Sequence, residues 1–221
     1  WAREKEVVTS INRDHINNEF LPGIVLPPNV RATESLRDAA SADGLLLAVP
    51  AQFVRSVTTE IADDLAPGTP IAICAKGIER NGGALMSEVL HATLPDAIVA
   101  VLSGPTFAAE VALGQPTAVT LACLDDAVGS AFVQRLGGRA FRPYLADDII
   151  GAQIGGTVKN VLAIACGIVA GRKLGDNARA ALITRGMAEM IRFGAALGAA
   201  PQTLMGLCGL GDLVLTCTGP A

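Results

Sequence analysis

"GLLLAVPAQFVRSVTTEIADDLAPGTPIAICAKG", residues 44–77, contains two uninterrupted apolar runs with a helical pattern between them. The runs at 44–50 and 70–76 lack the polar/apolar alternation of a half-exposed strand, so each reads as a strand covered on both faces. Residues 51–65 space their apolar side chains as a surface helix does. A buried strand, a crossover helix and a second buried strand form a parallel unit with a right-handed connection.

The same alternation continues downstream. "AIVAVLSG" (97–104) and "TAVTLAC" (117–123) read as two more buried strands. Residues 83–94 and 126–137 read as helices, and "PTFAAEVALG" (105–114) as a connection carrying a short one. The predicted class is α/β with a doubly wound parallel sheet. After "FRPYL" (141–145) only helical patterns remain, over 147–171, 176–197 and 202–207. Asp176 is a plausible N-cap for the second of these, and Gly198 and Pro201 mark its end. A boundary near residue 145 therefore separates an α/β domain (1–145) from an all-helical one (146–221).

Composition narrows the function. The net charge is −4, with no lysine/arginine run, which argues against a nucleic-acid surface. Mean hydropathy is high at +0.45. The longest uncharged run, 193–211, is interrupted by glycines, Pro201 and Gln202, so no stable membrane insertion is expected. Five scattered cysteines without a C-x-x-C pair suggest reduced thiols and a cytoplasmic location. With only His15 and His91, far apart, no metal site is expected.

In open α/β sheets ligands gather beyond the carboxyl ends of the strands. Lys76, followed by Gly77, stands at such an end and is either a solvated lysine or a ligand contact. "SGPTF" (103–107) sets the Ser103 and Thr106 hydroxyls beside a Gly-Pro turn, which either caps a helix or offers N–H groups to an anion. In "GGTVKNVLAIACG" (155–167) a single lysine interrupts an uncharged helical stretch. Gly155 and Gly156, each costing about 1 kcal/mol in a helix, imply that a backbone or ligand approaches closely there. Lys159 is either a snorkelling surface residue or a buried amine whose desolvation lowers its pKa and suits it to acid/base work. Asn160 adds a donor and an acceptor. Asp212, within "GLGDL" (209–213), either turns the backbone or pairs with a buried cation such as Lys159.

Together, "NNEFLPG" (17–23), "AVPAQ" (48–52), "AKGIE" (75–79), "LSGPTFAAEVALGQPTAV" (102–119), "IGGTVKNVLAI" (154–164), "NARAALITRGMAEM" (177–190) and "GLGDLVLTCTG" (209–219) resemble the bacterial type of NAD(P)-dependent glycerol-3-phosphate dehydrogenase. The resemblance runs along nearly the whole chain in order. It implies a Rossmann-like sheet followed by a helical domain. It also implies interconversion of dihydroxyacetone phosphate and sn-glycerol 3-phosphate, feeding glycerophospholipid synthesis. By the same resemblance Lys159 is the catalytic acid/base, with Asp212 beside it. Lys76 contacts substrate near the nicotinamide, and Gly104, Thr106 and Asn160 fall at the substrate site. Phe53, Ala108 and Arg3 fall at cofactor positions. Arg3 suits the 2′-phosphate of NADPH over NADH, unless it is an ordinary surface arginine.

The family's glycine-rich turn precedes the position of Trp1, and its serine-arginine-asparagine phosphate clamp follows "TCT"; neither lies in these 221 residues. The chain thus reads as a piece of something longer that binds cofactor weakly by itself. Two other readings remain open at this point: a related reductase acting on another small keto or hydroxy substrate, and a non-catalytic remnant. A homodimer is common for such folds, but no residue specifies an interface.

Overall fold

The computed structural model describes residues 1–219; Pro220 and Ala221, the last two of the expected helical domain, lie outside the described residues. The chain opens with α1 (Lys5–Asp14), a small antiparallel hairpin of β1 (Ile16–Asn17) and β2 (Leu21–Val25), and α2 (Leu36–Ala40). Then come β3 (Leu45–Leu47), a 3-10 turn at Ala51–Phe53 running into α3 (Val54–Glu60), β4 (Pro70–Ile73), α4 (Met86–Thr93) and β5 (Ile98–Ser103). The sheet is completed by α5 (Ala108–Ala112), β6 (Thr117–Cys123), α6 (Asp126–Leu136) and β7 (Phe141–Ala146). The remainder is helical: α7 (Ile149–Gly171), α8 (Asp176–Ala196), α9 (Pro201–Leu204), a π-helical turn (Leu207–Gly211) and α10 (Asp212–Thr218).

The five-stranded sheet has the order β3-β4-β5-β6-β7. Its first three strands are parallel, with Leu45 opposite Ile71 and Ile71 opposite Val99, as the crossover pattern predicts. The expectation of a fully parallel sheet needs one correction, because β6 runs antiparallel to β5, with Ser103 opposite Thr120. The connection at 104–116 holds only the five-residue α5, so the chain turns back at the end where β5 stopped. A longer helix is needed to return it to the other end. The α6 crossover then makes β7 parallel to β6. "FRPYL", after which only helical patterns were expected, forms most of the last strand of the sheet, a strand the sequence reading did not assign.

Side chains alternate across the strands and so feed two cores. Ile71 and Ile73 pack with Val54, Val89 and Leu90 of α3 and α4, a cluster that Ala152 and Cys208 of the helical part also enter. Ala72, Ala100, Leu121 and Phe132 fill the opposite face under α6. A third cluster of Ile154, Met190, Leu204 and Leu213 holds α7, α8, α9 and α10 together. The fully buried Val, Leu, Ile and Met side chains in these clusters each contribute about 1.5–3 kcal/mol of hydrophobic stabilisation, and the buried alanines less.

Carboxylates define several helix starts. Asp125 accepts from the Val128 N–H at 2.9 Å to cap α6. Asp148 accepts from Gly151 N–H at 2.7 Å and from Ala200 N–H at 2.9 Å, so one side chain caps α7 and anchors the loop before α9. Asp176, expected as the N-cap of α8, is instead its first residue, following Gly175. There its charge complements the helix dipole and pairs with Arg179 at 2.8 Å.

By length and composition α7 is apolar enough to cross a membrane; its first turns, Gly151–Gly156, are buried in the protein, while Val161, Ile164 and Ile168 further along are exposed. Gln153 near its start joins the two parts of the chain. The Gln153 side-chain oxygen accepts from Ser87 N–H at 3.0 Å, and its amide nitrogen donates to Ser87 Oγ at 2.9 Å and to the Ile149 carbonyl at 3.1 Å.

Candidate active site

Three segments distant in sequence converge where the carboxyl ends of β4 and β5 meet α7. Lys76 lies three residues past β4, Ser103 ends β5 with Gly104 behind it, and Lys159 projects from the middle of α7. The fourth contributor is Asp212, the first residue of α10, presented by the π-helical turn; such turns recur at functional sites.

Asp212 has no solvent exposure and accepts from two lysines. Lys159 Nζ donates to its Oδ1 at 2.6 Å and Lys76 Nζ to its Oδ2 at 2.6 Å. Lys76 Nζ also donates to the Gly104 carbonyl at 3.3 Å. Charge-assisted bonds of this length are the strong kind. Of the two lysine side chains, Lys159 is the more enclosed, 11% exposed against 23% for Lys76. Burial holds the Lys159 ammonium below the usual lysine pKa; its hydrogen bond to Asp212 opposes this and the nearby charge of Lys76 reinforces it. Two ammoniums facing one carboxylate leave the cluster with one net positive charge.

The glycines before Lys159 make this arrangement fit. A methyl group on Gly155 would stand 2.1 Å from the Cys208 carbonyl oxygen and 2.9 Å from Gly209 Cα, so the π-helical turn rests directly on the α7 backbone. A methyl on Gly156 would stand 3.1 Å from both Cγ and Cδ of Lys76. Gly155 therefore admits the backbone that carries Asp212, and Gly156 admits the stem of Lys76.

Other residues singled out in the sequence surround this centre at varying distance. Gly104 is buried and joins the cluster through its carbonyl, while Thr106 is half-buried in the next turn. Asn160 follows Lys159 but is exposed, about 100° further round the helix. Phe53 is 52% exposed in the 3-10 turn beyond β3. Ala108 is exposed at the start of α5, and Arg3 is exposed ahead of α1, in backbone that forms no strand. The partnership of Lys76 with Asp212 is the feature that sequence reasoning missed. Surface hollows of about 380 Å³ along α1 and about 270 Å³ at the α7–α8 turn include none of these residues. Among the described residues no group of His, Cys, Asp and Glu side chains is arranged to hold a metal ion.

Comparison with known proteins gives this cluster a family. Residues 1–129 match the model of the NAD-dependent glycerol-3-phosphate dehydrogenase N-terminus, and residues 148–221 match that of the C-terminus. A curated glycerol-3-phosphate dehydrogenase [NAD(P)+] from Paramagnetospirillum magneticum is 60% identical over 99% of this chain and 79% of its own length. One from Parvibaculum lavamentivorans is 57% identical over the whole chain, which spans 66% of that relative. The crystal structure of glycerol-3-phosphate dehydrogenase from Coxiella burnetii superposes with a TM-score of 0.95 at 42% identity, covering 99% of this chain and 67% of that one. With both parts matched in order, the chain belongs to the NAD-dependent glycerol-3-phosphate dehydrogenase family.

Proposed function

We propose that this chain serves the NAD(P)H-dependent interconversion of dihydroxyacetone phosphate and sn-glycerol 3-phosphate, with Lys159 as the acid/base. The observation that carries the reading is the single buried carboxylate shared by Lys159 and Lys76. Lys159 is oriented by a 2.6 Å bond to Asp212, keeps two of its three N–H donors free of that carboxylate, and has a lowered pKa, so its proton is available to a carbonyl oxygen gaining charge. Asp212 orients Lys159 and offsets its charge. Lys76, bonded to the Gly104 carbonyl, supplies the more exposed positive charge for the phosphorylated substrate, and Thr106 and Asn160 are assigned to the same substrate by resemblance.

The described residues fit a nicotinamide dinucleotide. Phe53 is half exposed just beyond β3 and Lys76 puts a cation at the strand ends, where dinucleotides bind in such sheets; the exposed Ala108 is assigned to the cofactor by resemblance. The exposed Arg3 suits a 2′-phosphate, so NADPH is favoured. The cofactor, when bound, supplies the hydride. The product would enter glycerophospholipid synthesis. A cytoplasmic protein outside the bilayer is consistent with five unpaired cysteines and with an α7 that directs Gln153 and Lys159 into protein.

The test is turnover of dihydroxyacetone phosphate with NADPH by the native-length protein and by its Lys159→Ala variant. Turnover falls by about 10²–10⁴-fold while NADPH binding persists. Retained turnover, or loss of turnover and cofactor binding together, overturns the assignment of Lys159.

A further inference from the structure

Ser103 ends β5 inside the cluster, is 4% exposed, and its hydroxyl has no hydrogen-bond partner among the described residues. A buried hydroxyl without a partner is unfavourable, and alanine would fill the same place without that cost. Its cross-strand neighbour is Thr120, on the same face of the sheet.

The surroundings show what covers it. A methyl on Gly156 would stand 3.2 Å from Ser103 Oγ and 3.1 Å from Lys76 Cγ and Cδ, so the hydroxyl and the lysine stem meet over this glycine. Lys76 is the more exposed lysine, and its second bond, to the Gly104 carbonyl, is long at 3.3 Å. Lys159 continues to neutralise Asp212 if Lys76 turns away. An anion entering the crevice therefore draws Lys76 more readily than Lys159.

We propose that Ser103 is a further substrate-contacting residue: its hydroxyl, roofed by Lys76 in the free protein, donates a hydrogen bond to an oxygen of the phosphorylated substrate once the Lys76 ammonium turns towards that anion. The inference rests on the reading of the cluster as the substrate site.

The experiment compares the native-length protein with Ser103→Ala, measuring melting temperature, kcat and KM for dihydroxyacetone phosphate, and KM for NADPH. The melting temperature stays level or rises, KM for the phosphorylated substrate rises about tenfold, the equivalent of one hydrogen bond, and KM for NADPH is unchanged. If alanine lowers the melting temperature, Ser103→Cys, close in size but a far weaker donor, is read instead and shows the same rise in substrate KM. Unchanged kinetics in these variants, with an active parent, overturn this proposal alone. A parent that does not turn over dihydroxyacetone phosphate overturns the reading beneath it, and the proposal with it.

Discussion

Lys159 and Asp212, 53 positions apart in the chain, close a 2.6 Å ion pair on a carboxylate with no solvent exposure. The same carboxylate holds Lys76 at 2.6 Å. Replacing it leaves two ammoniums facing each other in a largely dry site. Asp212→Asn is expected to lower unfolding free energy by about 3 kcal/mol in urea titrations and to reduce turnover sharply. Full stability in the variant would mean that the lysines find other partners.

Lys159 also sets a pH dependence. Carbonyl reduction needs its protonated form, so the reductive rate falls as pH rises through its lowered pKa, below the free-lysine value of 10.5. Oxidation of glycerol 3-phosphate rises over the same window. Lys76→Met removes a neighbouring positive charge, so this limb of the pH–rate profile shifts upward. The stability sign follows from the same shift. With a folded pKa below the unfolded one, the unfolded chain binds more protons between the two values, and stability rises with pH there. The charged lysine is thus a cost to folding at neutral pH, and Lys159→Met is expected to melt at the same temperature as the parent or higher at pH 7.

The two glycines before Lys159 separate stability from substrate handling. Gly155→Ala drives a methyl into backbone at 2.1 Å and is expected to cost about 3 kcal/mol or more in thermal or urea melts. Gly156→Ala meets only the Lys76 stem and the Ser103 hydroxyl at 3.1–3.2 Å. Its expected signature is a raised substrate KM with a change in melting temperature well below that of Gly155→Ala. Equal melting losses at both positions would contradict this division.

Burial pushes the thiols of Cys74, Cys123, Cys208 and Cys217 up. Burial and the neighbouring Cys166 push Cys217 up to about 12, and burial pushes Cys74 to about 11 despite the charge of Lys76. Since the thiolate is the reactive form, iodoacetamide at pH 8 is expected to label Cys74 about a hundredfold more slowly than a free cysteine. Mass spectrometry after a timed quench follows this, and all five cysteines label once urea unfolds the chain.

Much of this architecture is written locally. The runs of β4 and β5 lack alternation because both faces of those strands are buried, and the pattern says so directly; β3, expected to be the same, leaves Leu46 on one face 52% exposed. Strand direction is different. "TAVTLAC" would read the same in either direction, and only the brevity of α5 in the connection before it reveals the reversal. The hairpin of β1 and β2 is too short for any periodicity to register.

At the site, Gly155 and Gly156 signalled close approach, and the structure divides that approach between a backbone and a side chain. Asp212 as a partner for Lys159 was one of two local options. Lys76 on the same carboxylate is a contact across 136 positions that no spacing rule encodes.

The bonds from Gln153 to Ser87 give the molecule a mechanical property. They cross the seam between sheet and helices beside the approach of the Lys76 stem to Gly156 and the Lys76–Asp212 pair, so the seam is riveted at several points rather than hinged. Sliding of one part over the other would break all of these together. Heat is therefore expected to melt both parts in one transition, and any closing movement around bound substrate has to come from side chains and loops at the rim.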